Sequence, residues 1–325
     1  MRKNTKRYRV VFFGLGSIGS RLARLAAEHL GREVYAFRSR GTADSPPGVV
    51  NITSEKDLAD LSPDVAFITN PTSLHVATAL SCAGRGMHLF IEKPLSDRLD
   101  GVGRLLRTVA RRGLTTCVGC NLRFDPMIAQ LKSRLAGRAP FCARVICSSH
   151  LPSWRPAQDY RRSYSSSRRM GGGVLLDLIH EPDYCHFLFG PIEALEGTAA
   201  KLSGLEIETE DSADMTLRPR SAVLTRDHLD YSRLRTQRQI DVFGDGLYAE
   251  ADLIGRTLLW LENGRKRTKS FAALHRDDTY REEIRYFFRC LDRGATPMNN
   301  LEEHLQVLRP VLALRRRQGL EKEQP

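Results

Sequence analysis

The sequence contains no run approaching the ~20 consecutive apolar residues that a membrane-spanning helix needs, and it contains no internal repeat. Its nearest approach to low complexity is the short Ser/Arg-rich stretch from Ser163 to Arg169. Those absences exclude a membrane-spanning helix bundle and a solenoid. Global disorder is excluded because 41% of the 325 residues are hydrophobic. Cysteine is sparse and odd in number, seven residues scattered from Cys82 to Cys290, which favours free thiols over a disulfide framework. The one close pair, Cys117 and Cys120, has no second pair at zinc-finger spacing and sits in an apolar segment, so buried thiols are expected there and no metal. Lysine is scarce too. There are nine, so most of the 50 basic residues are arginine, and against 38 acidic residues they leave a net charge of +12. Such a balance invites a nucleic-acid reading, yet helix-turn-helix, zinc module and concentrated basic helix are all missing. The densest basic run, Arg315-Arg316-Arg317, closes an expected helix, where cations suit the dipole. No nucleic-acid or membrane partner is expected.

What is present is the alternation of a two-domain α/β chain, as the length also suggests at about 150 residues per domain. The basic opening imitates a signal peptide, but glycines at 14, 16 and 19 interrupt the apolar run and no small-residue cleavage site follows. A cytoplasmic protein is expected. Strand-like runs at Arg9 to Phe13, Glu33 to Phe37, Val65 to Thr69, His88 to Ile91 and Leu114 to Gly119 are interleaved with helical patterns at Ile18 to Leu30 and Ser73 to Ala83. This spacing predicts a doubly wound parallel sheet covered on both faces, a Rossmann domain over residues 1–121. From residue 122 to 325 the pattern predicts an α+β domain with a largely antiparallel open sheet. Strand candidates follow one another there from Arg144 to Leu261, with hairpin signals at Gly244-Asp245-Gly246 and Asn263-Gly264. Two amphipathic helices, Tyr280 to Arg293 and Leu301 to Arg317, close the chain.

Gly14-Leu15-Gly16-Ser17-Ile18-Gly19 is G-x-G-x-x-G between a predicted strand and a predicted helix, the context in which the motif binds a dinucleotide. The first glycine permits the turn, the second admits a pyrophosphate to the backbone, and the third lets helix pack on strand. The helix N-terminus offers unpaired N–H groups to phosphate. After the second strand an NAD-binding unit usually carries a carboxylate for the ribose 2′-hydroxyl. Here the strand runs into Arg38-Ser39-Arg40. Guanidinium groups suit a 2′-phosphate, so NADP is favoured, with NAD the alternative and ordinary surface arginines the bland reading.

After the strand at His88 comes Glu92-Lys93-Pro94, which puts Lys93 at the carboxyl end of the sheet, where ligands of such folds sit. A lysine beside a cationic nicotinamide has its ammonium form disfavoured and suits proton transfer. Together with Asn70-Pro71-Thr72-Ser73-Leu74-His75, Gly119 to Pro126 and Gly171 to Tyr184, this segment resembles the Gfo/Idh/MocA family of NAD(P)-dependent oxidoreductases. The resemblance runs in the family's order across nearly the whole chain. It implies hydride transfer to or from a C–O group of a sugar or related molecule. It also implies a cofactor site including Asn70, Pro71, His75, Glu92 and Lys93, and a homo-dimer or homo-tetramer.

Carried over, Lys93 orients the substrate hydroxyl, His180 is the general acid/base, and Asp177 and Asp183 orient it. Their spacing of three residues puts all three on roughly one helical face. Many relatives carry the aspartate four residues before the histidine, where this chain has three, and Pro182 predicts a kink or helix boundary beside His180. The stretch Leu151 to Ser165 resembles a branch acting on surface-polysaccharide and nonulosonic-acid sugars. Arg123, Trp154, Arg155, Tyr164 and Asp183 are expected to bind substrate. Arg155 and the loop arginines at 161, 162, 168 and 169 suit an anionic group, such as a carboxylate or a nucleotide phosphate, with a solvated loop the other reading. A non-catalytic dinucleotide-binding sensor or partner subunit, and a reductase of a non-sugar carbonyl or imine, remain the alternatives.

Overall fold

The computed structural model describes residues 8–31, 33–38 and 45–320. Ser39 and Arg40 lie outside them. The chain forms two compact units: the first runs to Asn121 and includes Arg276–Leu305, and the second is Leu122–His275 with the residues from Gln306 onward.

The first unit is built from β1 (Val10–Phe13), α1 (Ser17–Leu30), β2 (Val34–Phe37), β3 (Val49–Ile52), α2 (Glu55–Leu61), β4 (Val65–Ile68), α3 (His75–Gly84), β5 (His88–Glu92), α4 (Val102–Arg112) and β6 (Thr116–Gly119). Its six strands lie in the order β3-β2-β1-β4-β5-β6, every neighbouring pair parallel. The order reverses between β1 and β4, which makes the carboxyl ends of those strands the ligand-binding crevice of such sheets. β-branched and aromatic residues fill both faces, and Phe12, Phe67 and Phe90 stack across adjacent strands with ring centroids 4.6 Å apart in each pair.

The second unit comprises α5 (Pro126–Leu135), β7 (Pro140–Ser148), α6 (Val174–Asp177), α7 (His180–Phe189), β8 (Ile192–Ala200), β9 (Ser212–Pro219), β10 (Leu224–Asp230), β11 (Gln237–Gly244), β12 (Leu247–Asp252), β13 (Thr257–Glu262) and β14 (Arg265–Ser270). Their order is β14-β13-β12-β11-β7-β10-β9-β8. The sheet is antiparallel except that β7 pairs with β10 in parallel. At the Asn263-Gly264 turn both residues have positive φ, 49° and 75°, as the hairpin signal requires. The chain then returns to the first unit. α8 (Asp278–Arg293) buries Ile284, Phe287 and Phe288 in the same core as Leu22, Phe67 and Phe90. α9 (Leu301–Arg317) is the last helix among the described residues.

Candidate active site

The glycine turn between β1 and α1 shows why each position takes glycine. Gly14 has φ +103°, and a Cβ there would stand 2.6 Å from the Asn70 amide nitrogen. A Cβ on Gly19 would stand 2.2 Å from the Gly14 carbonyl oxygen, so the third glycine lets α1 close on the turn. Gly16 is different. Nothing lies within 4 Å of where its Cβ would be, and with Ser17 it is exposed at the start of α1. That helix start has no side-chain cap and no acidic residue in its first turn. Ile18 is half-buried against the core of the unit. An open, donor-rich helix N-terminus with a cradle left empty by glycine fits a pyrophosphate. Arg38 follows β2 directly, its N–H donating to the Ile52 carbonyl at 3.0 Å, and the β2 end has no carboxylate.

At the carboxyl end of β4, Thr69 Oγ1 donates to the Gly14 carbonyl at 2.5 Å, tying this strand end to the glycine turn. Asn70 Nδ2 donates to Thr78 Oγ1 at 2.9 Å, while Asn70 Oδ1 is buried with no hydrogen-bond partner among the described residues. Pro71 leads into one 3-10 turn before α3. His75, buried, opens α3 and spans two turns: Nε2 lies 2.8 Å from the Asn70 carbonyl and Nδ1 2.9 Å from the Pro94 carbonyl. Burial lowers its pKa, opposed by the two carbonyls it faces, each of which favours a protonated ring nitrogen. His75 thus joins the Asn70 turn to the Glu92-Lys93-Pro94 turn, whose Lys93–Pro94 bond is cis. Glu92 is buried, accepts the Lys93 N–H at 3.0 Å, and has its carboxyl pushed up to about 7 by burial. Lys93 is half-buried at the strand end.

In the second unit the segment from Asp177 to Asp183 departs from the expected single helical face. α6 ends at Asp177 and α7 opens at His180, so these two residues lie on different helices, while Asp183 follows His180 on α7. The reason is Pro182. Within a continuous helix its ring would collide with the Leu178 carbonyl and it could not donate. Restarting at His180 makes Pro182 the third helical residue, where a first-turn N–H has no intrahelical partner anyway.

Three donors pin this broken segment. The Tyr231 hydroxyl donates to Asp177 Oδ2 at 2.6 Å. Arg238 on β11 donates from Nε to Glu181 Oε1 at 2.6 Å. Arg123 forks onto Asp183, Nε to Oδ2 and Nη2 to Oδ1, both at 2.8 Å, with side chains 2% and 1% exposed. Arg123 and Asp183, both expected to bind substrate, are therefore joined to each other inside the fold. His180 stands at the head of the clamped turn, 9% exposed. Burial, with the Asp177 charge beside it, holds the Tyr231 phenol well above its ordinary pKa, so it stays a donor.

The three glycines before α6 have a related purpose. Gly173 has φ +115°, and a Cβ there would lie 2.3 Å from Glu210 Oε1. The buried Glu210 carboxylate can thus sit against the start of α6, where its backbone carbonyl accepts the Val174 N–H at 3.0 Å. Arg315 of α9 stands beside it, Nε 3.5 Å from Oε1. Trp154 packs edge-on against Tyr231 with centroids 5.3 Å apart, and its indole N–H donates to Ser149 Oγ at 2.7 Å. Tyr164 lies half-buried on the next turns of the same loop. The loop arginines do not form one field for an anion. Arg161 is held by Asp159 and Glu206, and Arg168 donates to the Glu208 carbonyl.

Tyr231, Arg238, Glu210 and Arg315 escaped the sequence reading because each acts over a long chain separation and belongs to no short motif. The lone cue was the run of glycines, which marks a close approach without naming what approaches. No disulfide joins any of the seven cysteines, and no helix among the described residues is long and apolar enough to cross a membrane.

Comparison with known proteins agrees with this geometry. The model described as oxidoreductase family, NAD-binding Rossmann fold, matches residues 8–120, and the GFO/IDH/MocA C-terminal domain matches residues 144–247. An uncharacterized oxidoreductase of Bacillus subtilis is 28% identical over 87% of this chain and 86% of its own length. Myo-inositol 2-dehydrogenase of Thermotoga maritima is 27% identical over 77% of this chain and 76% of its own. Levoglucosan dehydrogenase, solved with NADH and levoglucosan, shares the fold with a TM-score of 0.84 at 16% identity, covering 98% of both chains. With both halves matched in order on the two sheets just described, the chain belongs to the Gfo/Idh/MocA family of oxidoreductases.

Proposed function

We propose that this protein is an NADP-dependent dehydrogenase or reductase acting on a C–O group of a sugar or sugar derivative. The observation that carries the reading is the turn at Gly16: an uncapped, acid-free helix N-terminus whose apex has empty space where any other residue would put a side chain. The myo-inositol and levoglucosan dehydrogenases among its relatives support a polyol or sugar substrate. The absence of a carboxylate after β2, with Arg38 in its stead, supports the 2′-phosphate form of the cofactor.

The bound nicotinamide supplies the hydride acceptor or donor. The backbone N–H groups at Gly16, Ser17 and Ile18 hold phosphate, and Asn70, Pro71 and His75 shape the carboxyl end of β4. Lys93 orients the substrate hydroxyl and lowers the cost of removing its proton. His180 takes or returns that proton as general acid/base, with Asp177 as its orienting neighbour and Tyr231 holding Asp177 in place. The working assembly is a homo-dimer or homo-tetramer, which sedimentation measures directly.

The test is a screen of sugars and cyclitols with NADP or NAD, read at the nicotinamide absorbance. Turnover with NADP is expected, and His180→Ala and Lys93→Ala are each expected to lower kcat by about 10²–10⁴-fold with unchanged circular dichroism. Equal turnover in either variant would remove the proton assignments. Binding of NADH with no binding of NADPH would overturn the cofactor reading.

A further inference from the structure

In the first unit the carboxyl ends of the four central strands bring together residues 14–16, 69–71, 92–94 and 119–121. Among those residues Glu92 is the single carboxylate and Lys93 the single ammonium. The place of the carboxyl is built by its neighbours. Alternate residues of a strand face one side, so Glu92 follows Phe90 on the face covered by α8, where Phe90 meets Phe287 with ring centroids 5.6 Å apart. Its partner across the ladder on β6 is Gly119. A Cβ there would stand 3.0 Å from Glu92 Oε1, so the missing side chain leaves room for the carboxyl. Asn121 Nδ2 donates to Thr279 Oγ1 at 2.8 Å and closes the end of β6 onto α8. Glu92 Oε2 accepts the Lys93 backbone N–H at 3.0 Å, which fixes the carboxyl toward the turn that carries the lysine.

Few charged or titratable groups face this carboxyl. Lys93, on its own turn, favours the ionised form. From α8 comes the Tyr280 phenol, whose proton is held because burial and the Glu92 charge both raise its pKa. Arg21 of α1 lies over the Tyr280 ring at 5.5 Å and pairs with Asp277 at 3.3 Å. Residues 69–71 after β4 and 119–121 at the end of β6 add no carboxylate and no ammonium. Burial outweighs Lys93 and pushes the Glu92 carboxyl up to about 7, so its charge changes near neutral pH.

Oxidised and reduced nicotinamide dinucleotides differ at the ring by one positive charge, which the oxidised form carries. Beside Lys93 that cation meets a like charge. We infer that Glu92 is the counter-charge of this crevice and determines its preference between the oxidised and the reduced cofactor. The Glu92 carboxylate favours the cationic ring and offsets the Lys93 ammonium, whereas the neutral acid leaves the uncharged, reduced ring favoured. A buried charge acts through a lower dielectric than an exposed one, so one carboxylate suffices. The inference rests on the dinucleotide reading above and adds to it the residue that selects the redox form.

The test measures dissociation constants of oxidised and reduced NADP and NAD by calorimetry between about pH 5.5 and 8.5. Wild type, Glu92→Gln and Lys93→Ala are compared, with circular dichroism checking each fold. The ratio of the reduced to the oxidised dissociation constant cancels what the two forms share, the 2′-phosphate included. In wild type the ratio is expected to rise about tenfold as pH passes through the titration of Glu92, tenfold being the weight of one pKa unit. Glu92→Gln is expected to keep the low-pH ratio throughout, and Lys93→Ala to raise the ratio, the opposite direction. A wild-type ratio flat across this range overturns the inference without recourse to a variant. So does a slope that survives in Glu92→Gln, and if that slope vanishes in Lys93→Ala the lysine is the group that titrates. Dinucleotides that bind with these ratios unaltered by Glu92→Gln sink the inference alone, whereas binding of none of the four sinks the dinucleotide reading with it.

Discussion

Removing Arg123 should do more damage than removing any surface arginine of this chain, and the structure sets the size of the effect. Its guanidinium is forked onto Asp183 by two hydrogen bonds of 2.8 Å inside the fold. Arg123→Met leaves the Asp183 carboxylate buried without this partner, which costs about 3–5 kcal/mol. Both tryptophans, Trp154 and Trp260, lie in the second unit together with this pair, so tryptophan emission during urea unfolding reports that unit. With a urea slope of about 2 kcal/mol per molar, the midpoint should fall by about 1.5–2.5 M. Arg123→Met with Asp183→Leu replaces the pair by apolar groups and should recover most of the loss. It should not recover turnover, because the first turn of α7 has lost the anchor that sets His180. A single variant costing under about 1 kcal/mol, or a double variant as unstable as the single, would refute the clamp.

The glycine turn separates binding from folding. Gly14→Ala meets backbone at 2.6 Å with φ +103° and should destabilise the first unit, whereas Gly16→Ala enters open space and should leave the melting temperature unchanged while weakening NADPH binding at least tenfold, as calorimetry would show. Equal melting shifts in the two would contradict this. A second contrast lies under α7, where burial and the Glu181 charge push the Asp227 carboxyl up to about 8. The unfolded chain releases that proton near pH 4, so the folded state holds an extra proton between about pH 4 and 8. Stability falls as pH rises through that window, by at most ~1.4 kcal/mol per unit, and is flat above it. Asp227→Asn should therefore gain on wild type as the pH of unfolding measurements rises from 5 to 8; parallel profiles would show that Asp227 is ionised throughout.

The parts of the fold that could be read from sequence are those with local signals. The β1–α1 turn, the five stronger parallel strands and the Asn263-Gly264 hairpin all carry their own punctuation. β3 and α2 were missed because β3 has four half-buried residues. α2 did have a signal, Ser54 capping the Asp57 N–H at 3.0 Å, three residues apart as capping motifs are. β8 is broken to the eye by Gly197, whose missing side chain admits the Asp214 carbonyl of β9. β14 is six exposed residues, Arg265–Ser270, with no apolar alternation; the turn before it and its pairing with β13 make it a strand. The parallel pairing of β7 with β10 depends on contacts some 80 residues apart, which no local pattern encodes. At the site, the motif residues were visible and their partners were not. Asp177 and Asp183 looked alike in sequence, and Tyr231 and Arg123, 54 and 60 residues away from them, make them different.

The abundance of arginine over lysine acquires a partial cause from those partners. Arg123, Arg238 and Arg315 each stand against a buried carboxylate, Asp183, Glu181 and Glu210. Within such a pair the charges cancel, so these arginines contribute nothing to the net charge of +12. The excess is a property of exposed stretches such as β14. In the first of these pairs the shape of the guanidinium is used as well as its charge, because the Arg123 fork meets both oxygens of Asp183 and a lysine ammonium does not. Arg123→Lys is the case that isolates shape from charge. The charge is kept, one Asp183 oxygen loses its donor in a buried place, and a loss of about 1–3 kcal/mol is expected in the same tryptophan-monitored unfolding. If Arg123→Lys unfolds like wild type, the fork is not what the site selects, and charge alone accounts for the pair.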